Sequence, residues 1–192
     1  MFGFLRETQE KADKDNRRKN KHSITKTGLD TYLKEIFPNI TDWIHDKPIP
    51  NTKRSFRPDY RSETLKMVID FDGLPHYQNP ARILTDKKRH EFFKSLGYIH
   101  ITIPFFIQLT NKAIKTLFNV EITKQLFDDT IPSLYEEDGC TPAFLCPSGI
   151  KRMAEEFKQF PEQYKINMEQ MKKQSLYLTR WDLLEKEYEN LT

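Results

Sequence analysis

Three aspartates carry the chemical signal of this sequence. Asp59 follows Arg57-Pro58, and Asp70 and Asp72 lie in the run Met67-Val68-Ile69-Asp70-Phe71-Asp72. On a strand, alternate side chains share a face, so Val68, Asp70 and Asp72 point one way and Met67, Ile69 and Phe71 the other. Aspartate is depleted in strands, and an unpaired buried carboxylate is costly, so two of them at the end of an apolar strand call for a compensating cation. Asp59 ends an earlier strand, and a tight turn before Asp70 brings the two carboxylates together on adjacent strands. Oxygen ligands on a rigid sheet suit a hard divalent ion, Mg²⁺ with Mn²⁺ as the substitute, whose shell is completed by water and phosphate oxygens. Such an ion activates water and neutralises charge on a phosphodiester in the transition state. The alternative is a surface hairpin with solvated aspartates and an Asp72-Gly73 turn.

The elements that must hold these residues can be read from periodicity and breakers. Ser23–Phe37 is expected to be a helix with Leu29, Leu33 and Ile36 inward and Pro38 as its stop; it carries the acids Asp30 and Glu35. Short strands are expected at Asp42–His45 and Arg54–Tyr60, and the strongest at Leu65–Asp72. Pro80–Leu96 reads as a helix with Gly97 after its end, Tyr98–Phe105 as a further strand, and Ile107–Phe118 as another helix. The order helix, three strands, helix, strand, helix gives an α/β fold with a mixed sheet covered by helices. Beyond Asn119 the chain changes character. Ser148 is expected to cap a helix over Gly149–Phe160, and Thr179-Arg180-Trp181-Asp182 opens a last helix through Leu191.

Three regions follow: a basic N-terminal arm over 1–22, an α/β core over 23–119 and a mostly helical extension over 120–192. The 192 residues suit one domain, or one domain with a sizeable appendage, and 14 Phe, 8 Tyr and 2 Trp supply core anchors despite a charged fraction of 31%. A formal net charge of +3 does not by itself identify an anionic partner. Cys140 and Cys146 make neither a disulfide framework nor a paired zinc motif, and no secretory leader or long apolar run is seen. A reducing cytoplasm and no membrane contact are the expectation. Glycine is scarce, with neither a P-loop nor a dinucleotide fingerprint.

Arg57-Pro58-Asp59, the strand ending Val68-Ile69-Asp70-Phe71-Asp72-Gly73-Leu74-Pro75-His76, and the stretch Asp86-Lys87-Lys88-Arg89-His90-Glu91-Phe92-Phe93-Lys94-Ser95-Leu96-Gly97-Tyr98 together resemble the PD-(D/E)xK nuclease superfamily. Within it, the very short patch repair endonuclease-like group with a D-G-x-x-H motif is the nearest in pattern, together with restriction- and homing-type relatives. The resemblance covers about Thr25 to Phe118. It implies a restriction-endonuclease-like αβββαβ core and a Mg²⁺-dependent endodeoxyribonuclease, a phosphodiester hydrolase. It also implies Asp59 and Asp70 as metal ligands, with Asp30, or else Glu35, completing the shell. Asp72 falls where many members carry a lysine, so the general base is open between His76, a substrate phosphate and metal-bound hydroxide. His76 would be the catalytic imidazole, and Lys87 and Arg89 would stabilise the phosphate. His100, on the strand after the site, is expected to be a packing residue.

Arg57, Arg89, Lys151 and Arg152 are the expected DNA contacts, against the alternative that the charges of the last third are only solvated helix faces. A restriction- or homing-type enzyme acting as a homodimer is the expected form, because two strands cut at one place need two sites. The competing expectations are a mismatch-repair-type nickase and a nucleic-acid-binding module that keeps the fold without the chemistry.

Overall fold

The computed structural model describes residues 29–52, 56–134 and 140–191. The expected N-terminal arm and the first turns of the expected helix from Ser23 lie outside them. Helix α1 (Leu29–Ile36) leads into β1 (Ile44–His45), β2 (Tyr60–Ser62) and β3 (Met67–Asp72). The one-turn α2 (Pro75–Gln78) and the long α3 (Pro80–Ser95) then lead to β4 (Ile99–Pro104) and α4 (Asn111–Phe118). The four strands form one mixed sheet in the order β1-β2-β3-β4, antiparallel except that β4 runs parallel to β3.

Alternation along β3 sorts the two faces as its sequence implies. Met67 and Ile69 pack with Ile103 of β4 against Leu29, Leu33 and Ile36 of α1 and Ile114 and Phe118 of α4. Each of these side chains fully withdrawn from water contributes about 1.5–3 kcal/mol. On the opposite face Val68 meets Phe93 of α3 and Tyr98, and Asp70 and Asp72 share that face. α3 is therefore the lid over the carboxylates. Asn79 starts it by accepting from the Ala81 N–H at 2.9 Å, with Pro80 in the first turn. Gly97, at φ +80°, ends it.

Several boundaries differ from the expectation. β2 begins at Tyr60, where the sequence suggested a strand ending. Pro58 has no N–H to offer a ladder, and pairing starts only beyond it. α4 begins at Asn111 because the Thr110 side chain accepts from the Ala113 N–H at 3.2 Å. The first helix of the C-terminal part, α5 (Pro147–Phe157), has Cys146 rather than Ser148 at its N-cap position, with no side-chain capping bond. Pro147 has the fixed φ of a first helical residue, which puts Ser148 inside the first turn.

The remaining helices are α6 (Pro161–Lys172), the one-turn α7 (Leu176–Thr179) and α8 (Trp181–Glu189). Together with α5 they pack against α2 and the end of β4. Ile150, Met153, Ala154 and Phe157 of α5, Met168 and Met171 of α6 and Leu184 of α8 share one apolar cluster with Tyr77, Phe105, Phe106 and Ile107. The contact is close enough to need a glycine. A Cβ on Gly149 would lie 1.8 Å from the Tyr77 carbonyl oxygen, the same oxygen that accepts from the Cys146 N–H at 3.1 Å. Among the described residues no helix is long and apolar enough to cross a membrane.

Candidate active site

The three aspartates of the sequence motif lie on or beside one strand pair and are buried. Tyr60 is registered opposite Ile69, which sets Asp59 beside Asp70 at the exit of the pair. The two residues are interlocked: the Asp59 N–H donates to Asp70 Oδ1 at 3.1 Å, and the Phe71 N–H donates to Asp59 Oδ2 at 2.8 Å. The second Asp70 oxygen faces His100 Nε2 at 2.8 Å, and Arg89 of α3 bonds Asp70 Oδ1 and the Arg57 carbonyl. The cation that Asp70 calls for is thus supplied in part by Arg89. The expected phosphate contact and DNA contact at position 89 is turned inward on a carboxylate.

Asp72 anchors a second network. Arg152 of α5 bonds Asp72 Oδ2, reaches Asp86 Oδ2 at 3.0 Å and Glu156 Oε1 at 2.8 Å, and lies with its guanidinium carbon 4.6 Å from the Tyr77 ring centroid. The Tyr77 hydroxyl donates to Glu156 Oε2 at 2.6 Å. His76 stands between the acids, its Nδ1 at 2.8 Å from Asp86 Oδ2 and 3.2 Å from Asp72 Oδ1. Its Nε2 lies 3.1 Å from Arg82 Nη2. A guanidinium only donates, so Nε2 is the acceptor, and the His76 proton sits on Nδ1 toward the acids.

The environment drives these carboxyls apart. Burial outweighs Arg152 and His76 at Asp72 and raises its pKa above the ordinary value. At Asp86 burial acts the same way, but the bond and charge of His76 together with Arg152 prevail and hold it below that value. Burial pushes Glu156 up to about 7 in spite of Arg152 and Tyr77. Carboxyls separated in this way are suited to opposite roles in proton transfer.

Among the described residues, one group of acid and histidine ligand atoms lies together within 4.8 Å: Asp72, His76 and Asp86. Neighbouring ligands of a six-coordinate Mg²⁺ or Mn²⁺ at 2.0–2.1 Å lie about 3 Å apart, which the 2.8 and 3.2 Å separations match. In spacing and donor type the group fits a divalent ion. A ligating His76 Nδ1 must first lose its proton, and the half-exposed Arg82 must leave Nε2. One imidazole among the donors shifts the preference from Mg²⁺ toward Mn²⁺ or Zn²⁺.

The other expected residues are spread around this centre. Asp30 is not in that group: its carboxylate accepts from the Tyr60 hydroxyl and lies 3.6 Å from His45 Nε2. Burial and the charges of Asp30 and Asp59 raise the pKa of that hydroxyl. Glu35 pairs with Lys124 at 2.6 Å on the outer side of α1. Arg57 is exposed, with Asp46 at 4.0 Å. Lys87 and Lys151 are exposed and line opposite walls, α3 and α5, of a groove of about 440 Å³. Asp86, His90, His100, Thr102 and Arg152 also line it, together with the acids Glu155 and Glu156. Arg152 is held by three carboxylates rather than offered to a ligand.

The sequence reading missed Asp86, Glu156 and Tyr77, which lie in helices whose patterns suggested only surface or core. It also missed His90. His100 is not packing alone, since its ring bonds Asp70. The one available signal was the helical spacing of Asp86 and His90, one turn apart on α3. No family model matches this chain, and no curated protein or solved structure matches it.

Proposed function

We propose that the protein is a metal-dependent endonuclease that hydrolyses DNA phosphodiester bonds in the groove between α3 and α5. The observation that carries this reading is the meeting of Asp72, His76 and Asp86 at ligand spacing, with Asp86 opening into a groove walled by Lys87 and Lys151. The element order α1-β1-β2-β3-α3-β4 also supports it, being the order of the nuclease core that the sequence resembles.

When bound on this group, a divalent cation supplies an acidified water and neutralises charge on the phosphate. The chain's own residues do the rest. Lys87 and Lys151 attract the phosphate backbone from both walls. Asp86, kept ionised, and Asp72 hold the cation, and Arg152 keeps their combined charge from repelling the substrate. Asp59 and Asp70 lock β2 to β3 and fix the strand that carries Asp72. A restriction- or homing-type enzyme acting as a homodimer remains the form proposed for double-strand cutting.

A second reading, a DNA-binding module without chemistry, has one observation in its favour: Arg89 and Arg152 already match Asp70 and Asp72. Incubation with supercoiled plasmid separates the two. Nicked or linear product that needs Mn²⁺ or Mg²⁺ and vanishes with EDTA supports the enzyme. Salt-sensitive binding with no cutting in any divalent ion supports the module.

A further inference from the structure

The reaction above needs a proton acceptor, and Asp72 stands where a motif lysine would supply one. A second chain of groups reaches the same groove from below. His100 projects from β4 on the Asp70 side, with its Nε2 2.8 Å from Asp70 Oδ2. Its other ring nitrogen, Nδ1, lies 3.1 Å from Nδ1 of His90. The His100 side chain is only 4% exposed, and the Phe93 ring packs edge-on to it at 5.1 Å, so its orientation is fixed. His90 is exposed, on the α3 wall of the groove.

Hydrogen-bond chemistry orders the protons along this chain. Asp70 accepts, so His100 donates from Nε2 and has its Nδ1 lone pair free to accept. The proton between the two rings then belongs to His90 Nδ1. The lone pair of the exposed His90 ring is then on its opposite nitrogen, Nε2. A buried carboxylate orienting one imidazole, which orients a second, is the logic by which a base is fixed in one tautomer and its cationic form stabilised.

We propose that Asp70, His100 and His90 form a proton relay and that His90 Nε2 is the general base of the hydrolysis. It rests on the nuclease reading given above. In the step, the water proton passes to His90 Nε2 as the water oxygen bonds to phosphorus. The bond from phosphorus to the leaving oxygen breaks, and that oxygen takes a proton from solvent in the groove. The imidazolium on His90 is held by its Nδ1–H bond to His100, itself bonded to Asp70, and returns its proton to solvent after release. His90 is the catalytic residue here; His100 and Asp70 are positioning residues.

The electrostatics agree with a base that is free at neutral pH. Partial burial lowers the His90 pKa, with Lys94 adding to the effect and Glu91 opposing it. Lys87 on α3 and Lys151 and Glu155 on α5 are the other charges around the groove.

Two measurements test the relay. In single-turnover plasmid cleavage, His90→Ala is expected to be slower by about 100-fold, with DNA affinity within about twofold and partial rescue by added imidazole. His90→Gln is expected to be as slow, without rescue. Cleavage by His90→Ala at the wild-type rate, where Asp72→Asn cleaves nothing, overturns the relay and leaves the nuclease reading standing. Absence of cleavage by the wild type in any divalent ion overturns both. On the wild type alone, ¹⁵N chemical shifts of His90 are expected to show a protonated Nδ1 and a bare Nε2, and the reversed tautomer contradicts the relay.

Discussion

Arg152 donates to Asp72 across eighty residues of sequence, and this bond ties the C-terminal helices to the aspartate strand. Its other donors are taken by Asp86 and Glu156, so removing it strands three buried or half-buried carboxyls together. Arg152→Ala is therefore expected to destabilise the protein by about 3–5 kcal/mol, measured by urea unfolding. Arg152→Lys, which cannot bond three partners in one plane, is expected to recover less than half of the loss.

Gly149 gives the same interface a steric requirement. Gly149→Ala forces a methyl to within 1.8 Å of a backbone oxygen, and α5 must shift to admit it. The expected cost is about 3 kcal/mol, at the upper end for overpacking. Ser148→Ala, at an exposed position that caps nothing, is expected to change stability by no more than about 0.5 kcal/mol. Thermal unfolding of the two variants side by side makes the comparison.

The face assignment was legible because a strand has a period of two: Met67 and Ile69 could only go one way once Val68, Asp70 and Asp72 went the other. The long α3, its Gly97 terminus and β4 were legible for similar local reasons. β1 and β2, at two and three residues, are too short for any period to show and are set by pairing. The site was half legible. Asp59, Asp70, Asp72 and His76 are neighbours in sequence, and a motif captures them. Asp86, His90 and Arg152 reach the same face only because α3 crosses over the sheet to make β4 parallel to β3, and because Gly149 lets α5 approach Tyr77. Neither tertiary event leaves a periodic trace.

Glu156 sets a pH dependence. Its folded pKa of about 7 lies above its ordinary 4.5, so the folded state holds the proton more tightly than the unfolded chain. The stability this contributes is full below about pH 4.5 and is lost as pH rises through 7. Wild-type stability is expected to fall between pH 5 and pH 8 more steeply than that of Glu156→Gln, which has no proton to lose there. Denaturant midpoints at the two pH values give the answer.

Metal binding is expected to be linked to His76. Because its proton sits on Nδ1 among the ligands, uptake of an ion through Nδ1 moves that proton to Nε2, and the ¹⁵N chemical shifts of His76 detect the change of tautomer. Mn²⁺ is expected to bind more tightly than Mg²⁺. Arg82→Ala frees Nε2 to carry a proton and is expected to raise Mn²⁺ affinity severalfold, whereas Asp86→Asn lowers it by about tenfold or more.

The most direct test of the central claim is the rate of supercoiled plasmid cleavage by the wild type and by Asp72→Asn, each with Mn²⁺ and each shown to be folded. Metal-dependent cleavage by the wild type is expected, with a loss of at least about 1,000-fold in the variant, the scale of a removed transition-state contact. Cleavage that persists in Asp72→Asn at the wild-type rate, or a wild type that cuts in no divalent ion, contradicts the claim.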